Sequence, residues 1–217
     1  MIKWPEPQFY RALSALLSYP EPGLLAARDE IDEALSAWLA LHPDLQALRR
    51  FIDEHSLIQL QENYVATFDR NPAHSLHLFE HVHGESRDRG QAMVDLMEEY
   101  RRYGLEPDEN ELPDYVPLFL EFLGELPANE AKQMLGEAID ILAAIGSRLA
   151  RNESPYAAIF RVLVDLSDVV PQALTEPPVR DMDEAMEMFG PSPDGAEPLL
   201  KPATQTIQFH PRAHSAR

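Results

Sequence analysis

Cysteine is absent from this chain of 217 residues. That excludes disulfides, iron–sulfur ligation and zinc–thiolate sites, and with them every cysteine nucleophile. Basic residues are scarce as well. Eighteen Lys and Arg face 37 Asp and Glu, for a formal charge of −19. A field of that sign repels nucleic acid and anionic lipid and favours encounter with basic partners. No run of 18 apolar residues occurs, so no stable membrane insertion is expected. The opening Met1-Ile-Lys-Trp-Pro-Glu-Pro7 lacks a basic segment leading into an apolar one, so a secretory signal is not expected and the cytoplasm is the predicted location. Phosphate-binding glycine loops, dinucleotide fingerprints and Gly-x-Ser-x-Gly elbows are also missing.

What is present is helical periodicity. Phe9, Leu13, Leu16 and Leu17 recur at i, i+4, i+7 and i+8 before Pro20-Glu-Pro-Gly23 stops the pattern. Leu24 to Leu39 and Leu45 to Ile52 predict two further helices. Ser56-Leu-Ile-Gln59 has the form of a capping box and opens a helix through Leu60, Tyr64 and Phe68. The next predicted helix runs from about His74 to Val82 and stops at Gly84; Ser86 then caps one containing Met93, Leu96, Met97 and Tyr100. Pro113 or Asp114, Asn129 and Ser154-Pro155 mark the starts of three more. No segment alternates as a strand should. The expectation is an all-α bundle in one domain, residues 1–170. Eight of the 19 prolines fall in 171–217, which reads as a flexible, Pro-rich acidic tail. Within it Met182, Ala185, Met186 and Phe189 share one helical face.

Polar chemistry concentrates between Tyr64 and Gly90, where four histidines sit beside two Asp-Arg pairs and an apolar stripe. His77-Leu-Phe-Glu-His81 matches the H-x-x-E-H arrangement of inverted zinc proteases, in which histidines at i and i+4 chelate one ion and the glutamate activates water. A catalytic zinc also needs a third ligand, and no spacing singles one out. A purely structural role for His74, His77 and His81, bonded to carbonyls or to Asp69, Glu80 and Asp88, competes with it. Arg87, Asp88 and Arg89 are expected to stiffen the junction between two helices through ion pairs, for instance to Glu80.

The run His74-Ser-Leu-His-Leu-Phe-Glu-His-Val-His-Gly-Glu-Ser-Arg-Asp-Arg-Gly90, continuing Gln-Ala-Met-Val94, closely resembles the signature of the NarJ-type assembly chaperones of respiratory nitrate reductase. Tyr64-Val-Ala-Thr-Phe-Asp69 before it and Glu111-Leu-Pro-Asp-Tyr-Val-Pro-Leu-Phe-Leu-Glu-Phe-Leu123 after it extend the likeness, as does Phe9 to Pro20. The resemblance implies a member of the NarJ/TorD/DmsD group: all-helical cytoplasmic chaperones, not enzymes, with no cofactor of their own. It implies binding to the N-terminal segment of the immature catalytic α subunit, support of molybdenum-cofactor insertion and delayed docking on the membrane anchor. Molybdenum-cofactor delivery proteins are further candidate partners.

Gripping such a peptide needs apolar walls and a rim of opposite charge. Leu76, Phe79 and Val82 with Tyr115, Leu118 and Phe119 are the candidate walls. Asp69, Glu80, Glu85, Asp114 and Glu121 are the candidate acidic rim, with His74 and His81 alongside.

Overall fold

A computed structural model describes residues 4–83, 87–107 and 111–174. Ten α-helices occupy the described residues: α1 Pro7–Leu17, α2 Pro22–Ala26, α3 Arg28–Leu39, α4 Pro43–Glu54, α5 Leu57–Tyr64, α6 Glu80–His83, α7 Arg87–Arg102, α8 Val116–Glu125, α9 Ala128–Arg151 and α10 Ala157–Leu166. The fold is all-α, and among the described residues β pairing is confined to one isolated antiparallel bridge between His77 and Tyr115. The tail island at Met182 to Phe189 lies outside the described residues.

One hydrophobic core joins α1, α3, α4, α5 and α8 to α10 through buried Leu13, Leu17, Leu35, Leu48, Leu60, Leu120, Leu142, Ile145 and Phe160. Each lies on the stripe its helical period predicts. Close approaches set two helix pairs. At Gly124 of α8 a Cβ would stand 3.2 Å from the Pro7 carbonyl of α1, and at Gly146 of α9 one would stand 2.5 Å from Phe160 of α10. Ser14 Oγ donates to Glu121 at 2.9 Å, adding a polar tie between α1 and α8. Arg49 of α4 grips Asp32 of α3 with both arms of its fork, one of them at 2.7 Å.

Local rules explain most helix boundaries. At Ser56 the capping box forms in full: its side chain accepts from the Gln59 amide while the Gln59 side chain accepts from the Ser56 amide. Ala27 breaks the span from Leu24 to Leu39 into α2 and α3. Helix α9 begins one residue before Asn129, with Pro127 at its N-cap, and α10 starts two residues after Pro155.

The largest departure falls between Phe68 and Val82. Helix α5 ends in a π turn, Val65–Asp69, closed by Arg70 N–H donating to Val65 at 3.1 Å. Asn71 then caps a 3₁₀ turn, Pro72–His74, by accepting from Ala73 N–H. Residues 75–79 are not helical, and α6 is only four residues long. The expected helix from His74 to Val82 is therefore replaced, over most of its length, by a non-helical strip that bridges to Tyr115 at His77 and then turns through Leu78 and Phe79, where Glu80 N–H donates to the His77 carbonyl at 3.2 Å.

Candidate functional site

The strip is held by a partner far away in sequence. Leu78 N–H donates to the Asp114 carbonyl at 3.0 Å, and Val116 N–H donates to the Leu76 carbonyl at 2.8 Å. The Asp114 carboxylate is fully buried; it accepts from Phe79 N–H at 3.1 Å and lies 3.2 Å from His77 Nδ1. A buried carboxylate must be bonded, and here it substitutes for the helical carbonyls that the strip has given up. Ser75 does the same at the other end. Its hydroxyl accepts from His77 N–H at 3.2 Å and donates to Glu80.

Glu80 in turn accepts from Arg89 of α7 at 2.9 Å, so the pair spans the junction between α6 and α7. Asp88 is exposed on the first turn of α7. The side chain of Arg87 and the whole of Glu85 lie outside the described residues.

Both buried histidines tie this region to the C-terminal end of α9. His81 Nε2 donates to the Ser75 carbonyl at 2.8 Å, and its Nδ1 accepts from Arg148 at 2.7 Å. His74 Nδ1 donates to the Thr67 carbonyl at 2.9 Å while its Nε2 accepts from Asn152 at 2.7 Å. Because Arg148 and Asn152 supply hydrogens, each ring must be a neutral tautomer. Burial, first of all, pushes both imidazoles below their ordinary 6.5, and the Arg148 and Arg151 charges push that of His74 the same way, as Arg148 does for His81. Sequence reasoning missed Arg148 and Asn152. The signal was there: the apolar stripe Leu142, Ile145, Leu149 runs on into Asn152 at helical spacing, with Arg148 at its edge.

This geometry corrects the zinc-protease reading. His77 is in the non-helical strip and His81 in α6, so they do not share a helical face. Both ring nitrogens of His81 are already engaged, and Glu80 is committed to Ser75 and Arg89. Among the described residues no three His, Asp or Glu side chains converge as a metal site.

The proposed walls and rim are also redistributed. Leu76 and Phe119 belong to the core, and Asp114 and His81 are buried, so none of these forms a rim or an open wall. Their burial is what shapes the strip. Glu121 is exposed but faces α1 through Ser14. What stays near the surface is half-buried His77, Phe79, Tyr115 and Leu118, exposed Val82 and exposed Asp69. The Tyr115 ring tilts over His77 at 5.5 Å, and its hydroxyl lies 3.2 Å from that of Tyr64. Tyr64 O–H is donated to the Leu17 carbonyl at 3.1 Å, which leaves Tyr115 as donor to Tyr64. Exposed Tyr19 meets Tyr64 edge-on at 5.5 Å. Burial raises both the Tyr64 and Tyr115 hydroxyls above their ordinary 10, and the charge of Asp69 adds to it. The result is an aromatic ladder, Tyr19–Tyr64–Tyr115–His77, with a carboxylate beside it.

A separate cleft of about 440 Å³ opens between α9 and α10, walled by small residues such as Ala143, Ala144 and Ala150. None of the signature residues lines it.

The family profile described as "Nitrate reductase delta subunit" matches residues 26–161, which contain the strip, Asp114 and both histidine ties. The chain belongs to the nitrate reductase delta subunit family. Similar members include the nitrate reductase molybdenum cofactor assembly chaperone NarJ of Escherichia coli K12, 41% identical over 185 residues, which cover 81% of this chain and 78% of that protein. NarW of the same organism, named a probable chaperone of the same kind, is 41% identical over 74% of this chain and 68% of its own length. The probable NarJ of Bacillus subtilis is 32% identical over 71% of this chain and 85% of its own length. These delta subunit relatives are named as assembly chaperones, not as enzymes. Among the described residues of this family member no helix is long and apolar enough to cross a membrane.

Proposed function

We infer that this chain is a nitrate reductase maturation chaperone that holds the immature catalytic α subunit by its N-terminal segment. It keeps that subunit open to molybdenum-cofactor insertion and delays its docking on the membrane anchor until insertion is complete. The relatives' names support the maturation role. The observation that carries the grip is the non-helical strip at 75–79, bridged to Tyr115 at His77, which leaves both His77 and Phe79 half-exposed. Irregular backbone at such a point is costly unless its amides find partners, and Asp114 and Ser75 supply them. Rigid aromatic side chains on a fixed backbone offer contact area at small entropic cost.

In this reading Phe79, Tyr115 and Leu118 take apolar side chains of the peptide, and Asp69 meets a basic one. Asp114, Ser75, His74 and His81 act indirectly, by holding the strip in shape. The excess of acid steers the encounter, so affinity falls between ~0.05 and ~0.5 M salt as the Debye length shrinks from ~14 to ~4 Å.

Isothermal titration with a peptide from the amino end of a nitrate reductase α subunit tests the proposal. Saturable heat is expected with the natural chain and with Ile58→Gln, a change at an exposed α5 residue. Leu118→Gln and Asp69→Lys should each weaken binding about tenfold or more. Equal affinity in all four proteins would reject this surface, and absence of heat with the natural chain would reject the grip on that segment.

A further inference from the structure

Helix α7 carries more apolar surface than its packing uses. With each residue turned by about 100°, the arc from Ala92 through Leu96, Tyr100, Met93 and Met97 to Val94 is about 200° wide, roughly twice what one packing face requires. One half is spent inward. Tyr100 is buried, its ring 4.5 Å from Phe122 and its hydroxyl donating to the Pro113 carbonyl at 2.7 Å, and Leu96 packs against the core. Along the other half Met93 and Met97 are only half-buried, and Val94 is 52% exposed.

Gly90 lies in the same shoulder, one turn before Val94, and is exposed. A Cβ at this position would meet nothing within 4 Å. Glycine weakens a helix relative to alanine, and among the described residues no neighbour stands close enough to require it here. A neighbouring helix approaching closely would require it. The shoulder's solvent edge is acidic. Glu98 and Asp95 are exposed there, Asp95 accepting from Gln91 at 2.7 Å, and Arg101 stands at the C-terminal end. Arg102 lies on the same edge, one turn beyond Glu98, where its guanidinium pairs with Glu99 at 2.6 Å.

We propose that the shoulder Gly90–Met93–Val94–Met97 is a docking face for one amphipathic helix of a partner protein, its apolar stripe on the methionines and its lysines or arginines against Asp95 and Glu98. Methionine suits the task because its unbranched side chain adapts to the contour of whichever helix arrives. The gap at Gly90 admits the partner's backbone, and the two carboxylates fix which edge faces them. This face is on a different element from the aromatic ladder and does not depend on the peptide grip proposed above.

The probe is a fluorescein-labelled amphipathic helix of roughly 18 residues built from leucine and lysine, with a leucine–glutamate counterpart as control. The full chain should bind the lysine peptide saturably, one to one, and the glutamate peptide at least about tenfold more weakly. Gly90→Gln puts a side chain into the gap, starting from a Cβ that meets nothing within 4 Å, and Val94→Gln removes the exposed apolar group, both without changing charge. Each should weaken binding about tenfold with no fall in melting temperature, and Ile58→Gln should leave binding as it was. Unchanged affinity in both α7 variants overturns the proposal, as does equal binding of the two peptides. A sedimentation mass of two chains that falls to one in Val94→Gln would give the face to a second copy, which also overturns it.

Discussion

Arg148 of α9 donates to Nδ1 of His81 at 2.7 Å, joining residues 67 apart in sequence. With the parallel bond from Asn152 to His74, it fastens the irregular stretch between α5 and α7 to the longest helix. The shape of the candidate peptide surface is thus maintained from behind, by side chains that a bound peptide would not touch.

His81→Ala should cost about 3 kcal/mol. It leaves the buried Ser75 carbonyl without its donor, takes a partner from Arg148 and opens a cavity. Urea denaturation at pH 7.5 measures this. A loss below about 1 kcal/mol would mean that the ring does not hold the strip.

Stability should decline on acidification before carboxylates titrate. Burial holds both His74 and His81 below 6.5 in the folded chain. Above about pH 6.5 both states are neutral there and the full stability is present. As pH falls below that value, the unfolded chain takes up protons that the folded chain refuses, so stability drops. The slope approaches about 1.4 kcal/mol per pH unit for each histidine until its folded pKa is reached. Arg148 and Arg151 oppose protonation, while Glu80 and Asp114 partly favour it at His81. Denaturation at pH 7.5 and 5.5 should show the difference, and His81→Gln should shrink it. A flat profile in the natural chain would contradict the neutral tautomers.

Much of the fold was legible from local pattern. The Ser56 cap, the stripes of α8, α9 and α10, and the Glu80–Arg89 tie all rest on spacings within about ten residues, where side chains on a helix meet. The strip from Ser75 to Phe79 was not legible. Leu76, Phe79 and Val82 recur at a helical interval, and periodicity alone reads them as one amphipathic helix. The deciding partner, Asp114, is 35 residues beyond Phe79. Its carboxylate takes the Phe79 amide hydrogen and its carbonyl that of Leu78, both of which a helix would otherwise use, and no local rule anticipates that. The same blindness placed Asp114 on a rim. A lone aspartate between a proline and a tyrosine reads as surface, yet burial with two donors suits it equally.

Asp114→Ala should cost about 3 kcal/mol and Asp114→Asn about 1, since asparagine retains an oxygen for the Phe79 amide and loses only the charge facing His77. Hydrogen exchange locates the effect. In the alanine variant the Phe79 amide should exchange faster while amides within α9 keep their protection. Uniform loss of protection would show instead that Asp114 supports the whole core.

Two glycines should respond in opposite senses to alanine. At Gly146 the new Cβ would stand 2.5 Å from that of Phe160, inside any permitted contact, so α9 and α10 must move apart. Such overpacking costs about 2 kcal/mol, or a fall in melting temperature of about 4–8 °C for a chain of this size. Gly90 faces open space, and its replacement gains up to about 1 kcal/mol from helix propensity alone. Differential scanning calorimetry on the two variants reads both signs in one experiment. A stabilised Gly146→Ala protein would mean that the two helices are not in the close contact described. A destabilised Gly90→Ala protein would place a packed neighbour over α7 in the isolated chain, and the open shoulder would be lost with it.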